Sequence, residues 1–105
     1  MSVAAECRTV LVVEDEWLVG EVVTQELEEV GYRVLYTTTA EEALTILERD
    51  QPIDLLFTDI RLPGPLDGWQ LAEHARRLRP ALPVIYATGS TSEEPRQVPE
   101  SVFMR

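Results

Sequence analysis

Residues 9–13, TVLVV, are almost wholly apolar, and the run then meets three acids in succession, Glu14, Asp15 and Glu16. A short run without alternation is the pattern of a strand covered on both faces. Over residues 16–30 the spacing becomes helical: Val19, Val23, Leu27 and Val30 share one stripe, and Gly31 follows as a stop. Residues 32–36 predict a second strand. Thr39 with Glu42 gives a capping-box pattern ahead of a helix whose Ala40, Ala43, Leu44 and Leu47 recur at i, i+3, i+4 and i+7. Residues 53–58 predict a third strand, again ending on an acid, Asp59. A Pro/Gly-rich loop spans 62–68. Residues 68–79 predict a third helix with Leu71, Ala75 and Leu78 inward. Residues 83–87 predict a fourth strand, and 101–105 begin a fifth.

Strand and helix alternate with short connections. That order predicts parallel βαβ units with right-handed crossovers, an α/β fold with an open, doubly wound parallel sheet. The stretch 89–100, GSTSEEPRQVPE, falls where a fourth helix belongs. Its two prolines and sparse apolar residues predict a short or irregular helix. The sequence stops on the fifth strand, with no fifth helix after it.

In an open α/β sheet, ligands bind beyond the carboxyl ends of the strands. With strands one and three side by side, Glu14, Asp15 and Asp59 converge on one spot. Like charges so placed raise one another's pKa. A hard divalent cation relieves the repulsion, and Mg2+ suits one or two carboxylates completed by water. Thr88 leaves strand four at the same edge with a hydroxyl. A carboxylate nucleophile, a cation site and a hydroxyl donor are the parts for phosphoryl transfer onto an aspartate.

Composition narrows the partners. The chain has 105 residues, room for one domain, and a net charge of −10 from 19 acids and 9 bases, all of them Arg. So acidic a chain repels nucleic acid and anionic lipid. Cys7 is alone, so no internal disulfide forms, in keeping with a reducing cytoplasm. No apolar run approaches the roughly 20 residues of a membrane span, and MSVAAECR lacks the features of a signal peptide. His74, the only histidine, lies within the third helix, away from the acidic edge, and reads as structural. Arg76, Arg77 and Arg79 suit the end of that helix.

Taken together, VLVVEDE, LLFTDIRLPGPLDG, VIYATG and SVFMR resemble the receiver domain of two-component response regulators over residues 9–105, with 1–8 as an N-terminal tail. The resemblance implies a flavodoxin-like five-stranded sheet of order 2-1-3-4-5. It implies that Asp59 accepts the phosphoryl group. Asp15 is then the direct Mg2+ ligand, Glu14 holds the metal through water, and the Arg61 backbone carbonyl completes the protein ligands. Thr88 would be the switch hydroxyl and Phe103 the switch aromatic. The implied partners are a histidine kinase or phosphotransfer protein and a downstream protein target, with a homodimer left open and no direct nucleic-acid or membrane contact. The domain assists its own phosphorylation and dephosphorylation but turns over no external substrate.

The family places a Lys at the end of strand five. By spacing from Phe103, that is the position after Arg105, so the chain is expected to be truncated there, with Arg105 standing in for the Lys as the alternative. YATG resembles a motif of stand-alone receivers frequent in alphaproteobacteria. Trp17, at the start of the first helix, is expected either on the partner surface or half-buried, and Trp69 in the core or anchoring the loop. Two rival readings remain: a receiver-like module that binds partners without phosphorylation, and a Mg2+-dependent aspartyl phosphatase. The second lacks the usual acid two residues after the nucleophile, where Arg61 stands.

Overall fold

The computed structural model describes residues 8–87 and the backbone of 102–104. The elements are β1 (Thr9–Val13), α1 (Trp17–Glu29), β2 (Arg33–Thr37), α2 (Ala40–Glu48), β3 (Leu55–Asp59), α3 (Gly68–Leu78), β4 (Val84–Ala87) and β5 (Val102–Met104). All strand pairs are parallel, and the sheet runs β2-β1-β3-β4-β5. The doubly wound α/β architecture is therefore the one expected. The fourth helix was expected within residues 89–100, which lie outside the described residues, as does Thr88. Phe103 is placed only by its backbone, paired with Tyr86.

β1 is buried along its whole length, as an apolar run without alternation requires. Its side chains divide between the two faces. Leu11 and Val13 join Leu56, Val84 and Tyr86 in a core closed by Ala40, Ala43 and Leu47 of α2 and by Trp69, Leu71, Ala72 and Ala75 of α3. Trp69 and Tyr86 stack with ring centroids 4.7 Å apart, tilted by 54°. Val10 and Val12 point to the opposite face, where α1 lies.

The helix ends follow their local chemistry. α1 stops in a Schellman arrangement: Tyr32 N–H donates to the Leu27 carbonyl at 3.1 Å and Gly31 N–H to Glu28 at 3.0 Å. Gly31 has φ 102°, the left-handed backbone that this cap needs. At α2 the Thr39 hydroxyl accepts from Glu42 N–H at 3.2 Å, but the Glu42 carboxylate turns to Thr38 N–H, so the expected box is half formed. The reciprocal box sits instead at α3. There Asp67 accepts from Gln70 N–H at 2.9 Å, and the Gln70 side chain accepts from Asp67 N–H at 3.0 Å.

The α1 stripe buries only in part, at the half-buried Val23 and Leu27, and the inward stripe of α3 needs correction. In α1, Val19 is 42% and Val30 71% exposed, and Gly20 is the helix's only buried residue. Gly20 lies against the ring of Tyr36 on β2, so a glycine rather than a valine makes the close approach. In α3, Leu78 is exposed, and Trp69 and Ala72 take the buried positions beside Leu71 and Ala75.

Candidate metal centre

The register of the central strands builds the site. Val13 pairs with Thr58, so the next residues on the two strands, Glu14 and Asp59, leave the sheet as neighbours. Asp15 follows in the turn to α1. One carboxylate oxygen from each of Glu14, Asp15 and Asp59 lies within 4.8 Å of the others, and this is the cluster among the described residues able to hold a metal ion. Glu14 and Asp59 are half-buried and Asp15 is exposed. The pocket is thus walled on one side and open to solvent on the other.

Glu14 and Asp59 are held by backbone. The Glu14 carboxylate accepts from Glu16 N–H at 3.0 Å. Its own N–H donates to the Thr37 carbonyl at 3.1 Å, extending the β1–β2 ladder by one rung. Its carbonyl accepts from the Tyr36 hydroxyl at 2.6 Å. The Asp59 carboxylate accepts from Ile60 N–H at 2.7 Å, and the Arg61 N–H also faces it. Of Arg61, then, it is the amide N–H that meets the carboxylate. The role given to its carbonyl by resemblance stays an expectation.

α3 clamps the end of β3 from below. Gly68 N–H donates to the Ile60 carbonyl at 2.7 Å. A side chain at Gly68 would run into the Asp59 carbonyl oxygen and would stand 2.7 Å from Ile60 Cα. Only glycine permits this approach, and it brings the capped first turn of α3 against the backbone that aims Asp59.

The electrostatics match three acids in one place. Burial pushes the Glu14 carboxyl up from 4.5 to about 7, helped by the charges of Asp59 and Asp15 and opposed by the Glu16 N–H. Asp59 is raised too, mainly by burial and then by the charge of Asp15, against hydrogen bonds from Ile60, Arg61 and Glu14 that lower it. Tyr36 is raised by burial and by the negative charges of Glu14, Asp15 and Glu21, which keeps its hydroxyl a donor. A cation would remove the shared penalty. An all-oxygen carboxylate set with an open side also fits Mg2+, which keeps several waters.

The structure brings together Glu14, Asp15 and Asp59. His74 lies on α3 with Nδ1 3.4 Å from Arg77 Nη1. Trp17 is 60% exposed at the start of α1, two residues past Asp15. Two supports escape a reading of the sequence. The Tyr36 hydroxyl becomes visible only once β1 and β2 are in register. The α3 box has a local signal, Asp67 three residues before Gln70, which the neighbouring prolines and glycines obscure.

Comparison with known proteins points the same way. The family model described as the response regulator receiver domain matches residues 10–99. The response regulator SaeR of Staphylococcus aureus is 32% identical over 83 residues, covering 79% of this chain and 35% of SaeR. The chain spans about a third of the length of the curated relatives it first matches. Among solved structures, a response regulator receiver protein from Sinorhizobium medicae superposes with a TM-score of 0.88 at 32% identity, covering 94% of this chain and 82% of that one. TrrA from Thermotoga maritima, solved in complex with Mg2+–BeF, gives a TM-score of 0.73 at 30% identity, covering 80% and 71%.

Proposed function

The chain belongs to the response regulator receiver domain family, and from that premise we propose that Asp59 accepts a phosphoryl group with Mg2+ held by Glu14, Asp15 and Asp59. The observation that carries the reading is the convergence of those three carboxylates within 4.8 Å at the ends of β1 and β3. Receiver domains are signalling domains, so the product is a modified surface rather than a released metabolite.

The residues divide the work. An Asp59 carboxylate oxygen forms the new bond to phosphorus as the donor's bond breaks. The donor leaves with the electron pair, as a carboxylate from an acyl phosphate or as an imidazole from phosphohistidine. The Ile60 and Arg61 N–H groups fix the carboxylate while it attacks. With metal bound, Asp15 would supply a direct ligand and Glu14 one through water, and the Arg61 carbonyl would complete the protein set. When bound, the metal neutralises charge on the acids and on the phosphoryl oxygens. Thr88 is the hydroxyl that meets the phosphoryl group, and Phe103 the aromatic that turns with it, so phosphorylation biases a two-state surface.

We place this receiver unit at residues 9–105, in the cytoplasm. Its donor would be a histidine kinase or phosphotransfer protein and its target a protein. No helix among the described residues is long and apolar enough to cross a membrane.

Intact mass after incubation with Mg2+ and a small acyl phosphate tests the reading. The expected product is one phosphoryl adduct, absent without Mg2+ and absent in Asp59→Asn. An unmodified mass in the wild-type protein with Mg2+ present, or an adduct that survives Asp59→Asn, overturns it.

A further inference from the structure

The turn that carries Glu14 and Asp15 is tied to the edge strand at two points. Glu14 N–H donates to the Thr37 carbonyl at 3.1 Å, and the Glu14 carbonyl accepts from the Tyr36 hydroxyl at 2.6 Å. The first is the next rung of a parallel ladder, available to any residue. The second is made by a side chain and belongs to this sequence. Together they fix both polar groups of the Glu14 backbone, and hence the plane of the peptide leading into Asp15.

The hydroxyl arrives there because the ring is steered. Tyr36 lies over Gly20 of α1, and a Cβ on Gly20 would overlap the far end of the ring, reaching within 2.6 Å of the hydroxyl oxygen itself. Gly20 is also the buried residue of α1. The glycine therefore makes the slot, and the tyrosine fills it with its hydroxyl end toward the acidic turn. The hydroxyl bonds the Glu14 backbone carbonyl and not a carboxylate.

We propose that Tyr36, seated on Gly20, is a positioning residue that holds the Glu14–Asp15 peptide in the geometry the cation needs. The inference rests on the metal reading above. It adds that site precision is set from the edge strand β2, through one hydrogen bond to a backbone carbonyl. A cluster of like charges pushes its own members apart. A turn anchored at the carbonyl between two of them resists that spreading before the cation arrives.

The test is Mg2+ titration of the chain, followed by tryptophan fluorescence, with thermal melts alongside. Tyr36→Phe keeps the ring and removes the hydrogen bond. It is expected to weaken Mg2+ affinity roughly fivefold and to lower the metal-free melting temperature by about a few degrees, as the loss of one hydrogen bond does. Gly20→Ala displaces the hydroxyl and is expected to give a similar loss. In the Tyr36→Phe background, Gly20→Ala should cost little further Mg2+ affinity, because there is no bond left to break. A purely structural role would lower the melting temperature and leave affinity intact, and that result overturns the proposal. So do independent, additive losses from the two substitutions. Wild-type protein that binds no Mg2+ brings down the metal reading and this inference together. Wild-type binding that Tyr36→Phe matches brings down this inference alone.

Discussion

The two faces of the sheet are built differently. On the α2/α3 face, Leu56, Val84 and Tyr86 are fully buried against Trp69, Leu71 and Ala75. On the α1 face Val10 and Val12 of β1 are also fully buried, while among the described residues Leu55, Phe57 and Ile85 of β3 and β4 are half-buried and α1 turns Trp17, Leu18, Val19 and Val22 outward. Both faces support the strand that ends at Asp59. One does so as a close-packed wall, in which lost volume is felt at once. On the other, the contact of Tyr36 on Gly20 joins β2 to α1. The backbone of the acceptor strand is thus held from the α3 side, by Gly68 and the capped turn of α3. The acidic turn after β1 is held from the edge strand β2, by the Thr37 carbonyl and the Tyr36 hydroxyl. The acceptor and the turn that carries Glu14 and Asp15 have separate supports.

The largest expected effect contrasts the two tryptophans. Trp69 is 1% exposed, and Trp17 60%. Trp69→Ala should cost about 3–5 kcal/mol in urea unfolding. Trp17→Ala should change the unfolding free energy by no more than about 0.5 kcal/mol. Equal costs would mean that α1 packs as tightly as α3 and would abolish the distinction between the faces.

Gly68→Ala comes next. Its Cβ meets backbone at Asp59 and Ile60, which cannot swing aside as a side chain can. Overpacking of this kind costs about 1–3 kcal/mol, and here the strain falls on the acceptor. The expected result is reduced stability together with loss of the acyl-phosphate adduct by intact mass. A stable variant that still takes up phosphate would show that α3 does not aim Asp59. Asp67→Ala removes the cap of the same turn and should cost about 1 kcal/mol by urea unfolding, with a slower but complete adduct reaction.

Much of this was legible in the chain. The run 9–13 announced a buried strand because no polar residue interrupts it. The acids after β1 and β3 announced a site because like charges at two strand ends need a reason. The inward stripe of α2 held, since Ala40, Ala43 and Leu47 all bury. The stripe of α1 buries only in its middle, at the half-buried Val23 and Leu27, because period alone shows which residues share a side and not what covers that side. Leu78 failed for the same reason at the end of α3. Local spacing marks Tyr36 only as the end of a strand. Its role depends on a register between β1 and β2 that local spacing does not contain. Thr88 lies outside the described residues, as does the Phe103 side chain, so the switch pair stands on resemblance.

The smallest effect separates the acidic edge from the core below it. In the folded chain Glu14 titrates at about 7 against an ordinary 4.5, chiefly because of burial, and Asp59 is shifted in the same direction. An acid whose folded value is raised binds its proton more tightly folded than unfolded. Its contribution to stability is therefore complete below about 4.5 and is lost as the pH rises through about 7. Without metal, the melting temperature should decline over that interval, by less than the cap effect because the carboxylates are partly solvated and screened. Glu14→Gln should flatten the decline. Mg2+ binds the ionised site in the folded chain, so it should raise stability most at the upper end of the range and reverse the slope. Trp69→Ala should lower the whole curve and leave its slope alone, because Trp69 carries no charge. A metal-free curve that rises between pH 4.5 and 7 would mean that the three acids are already compensated, and that the turn after β1 needs no cation to hold it.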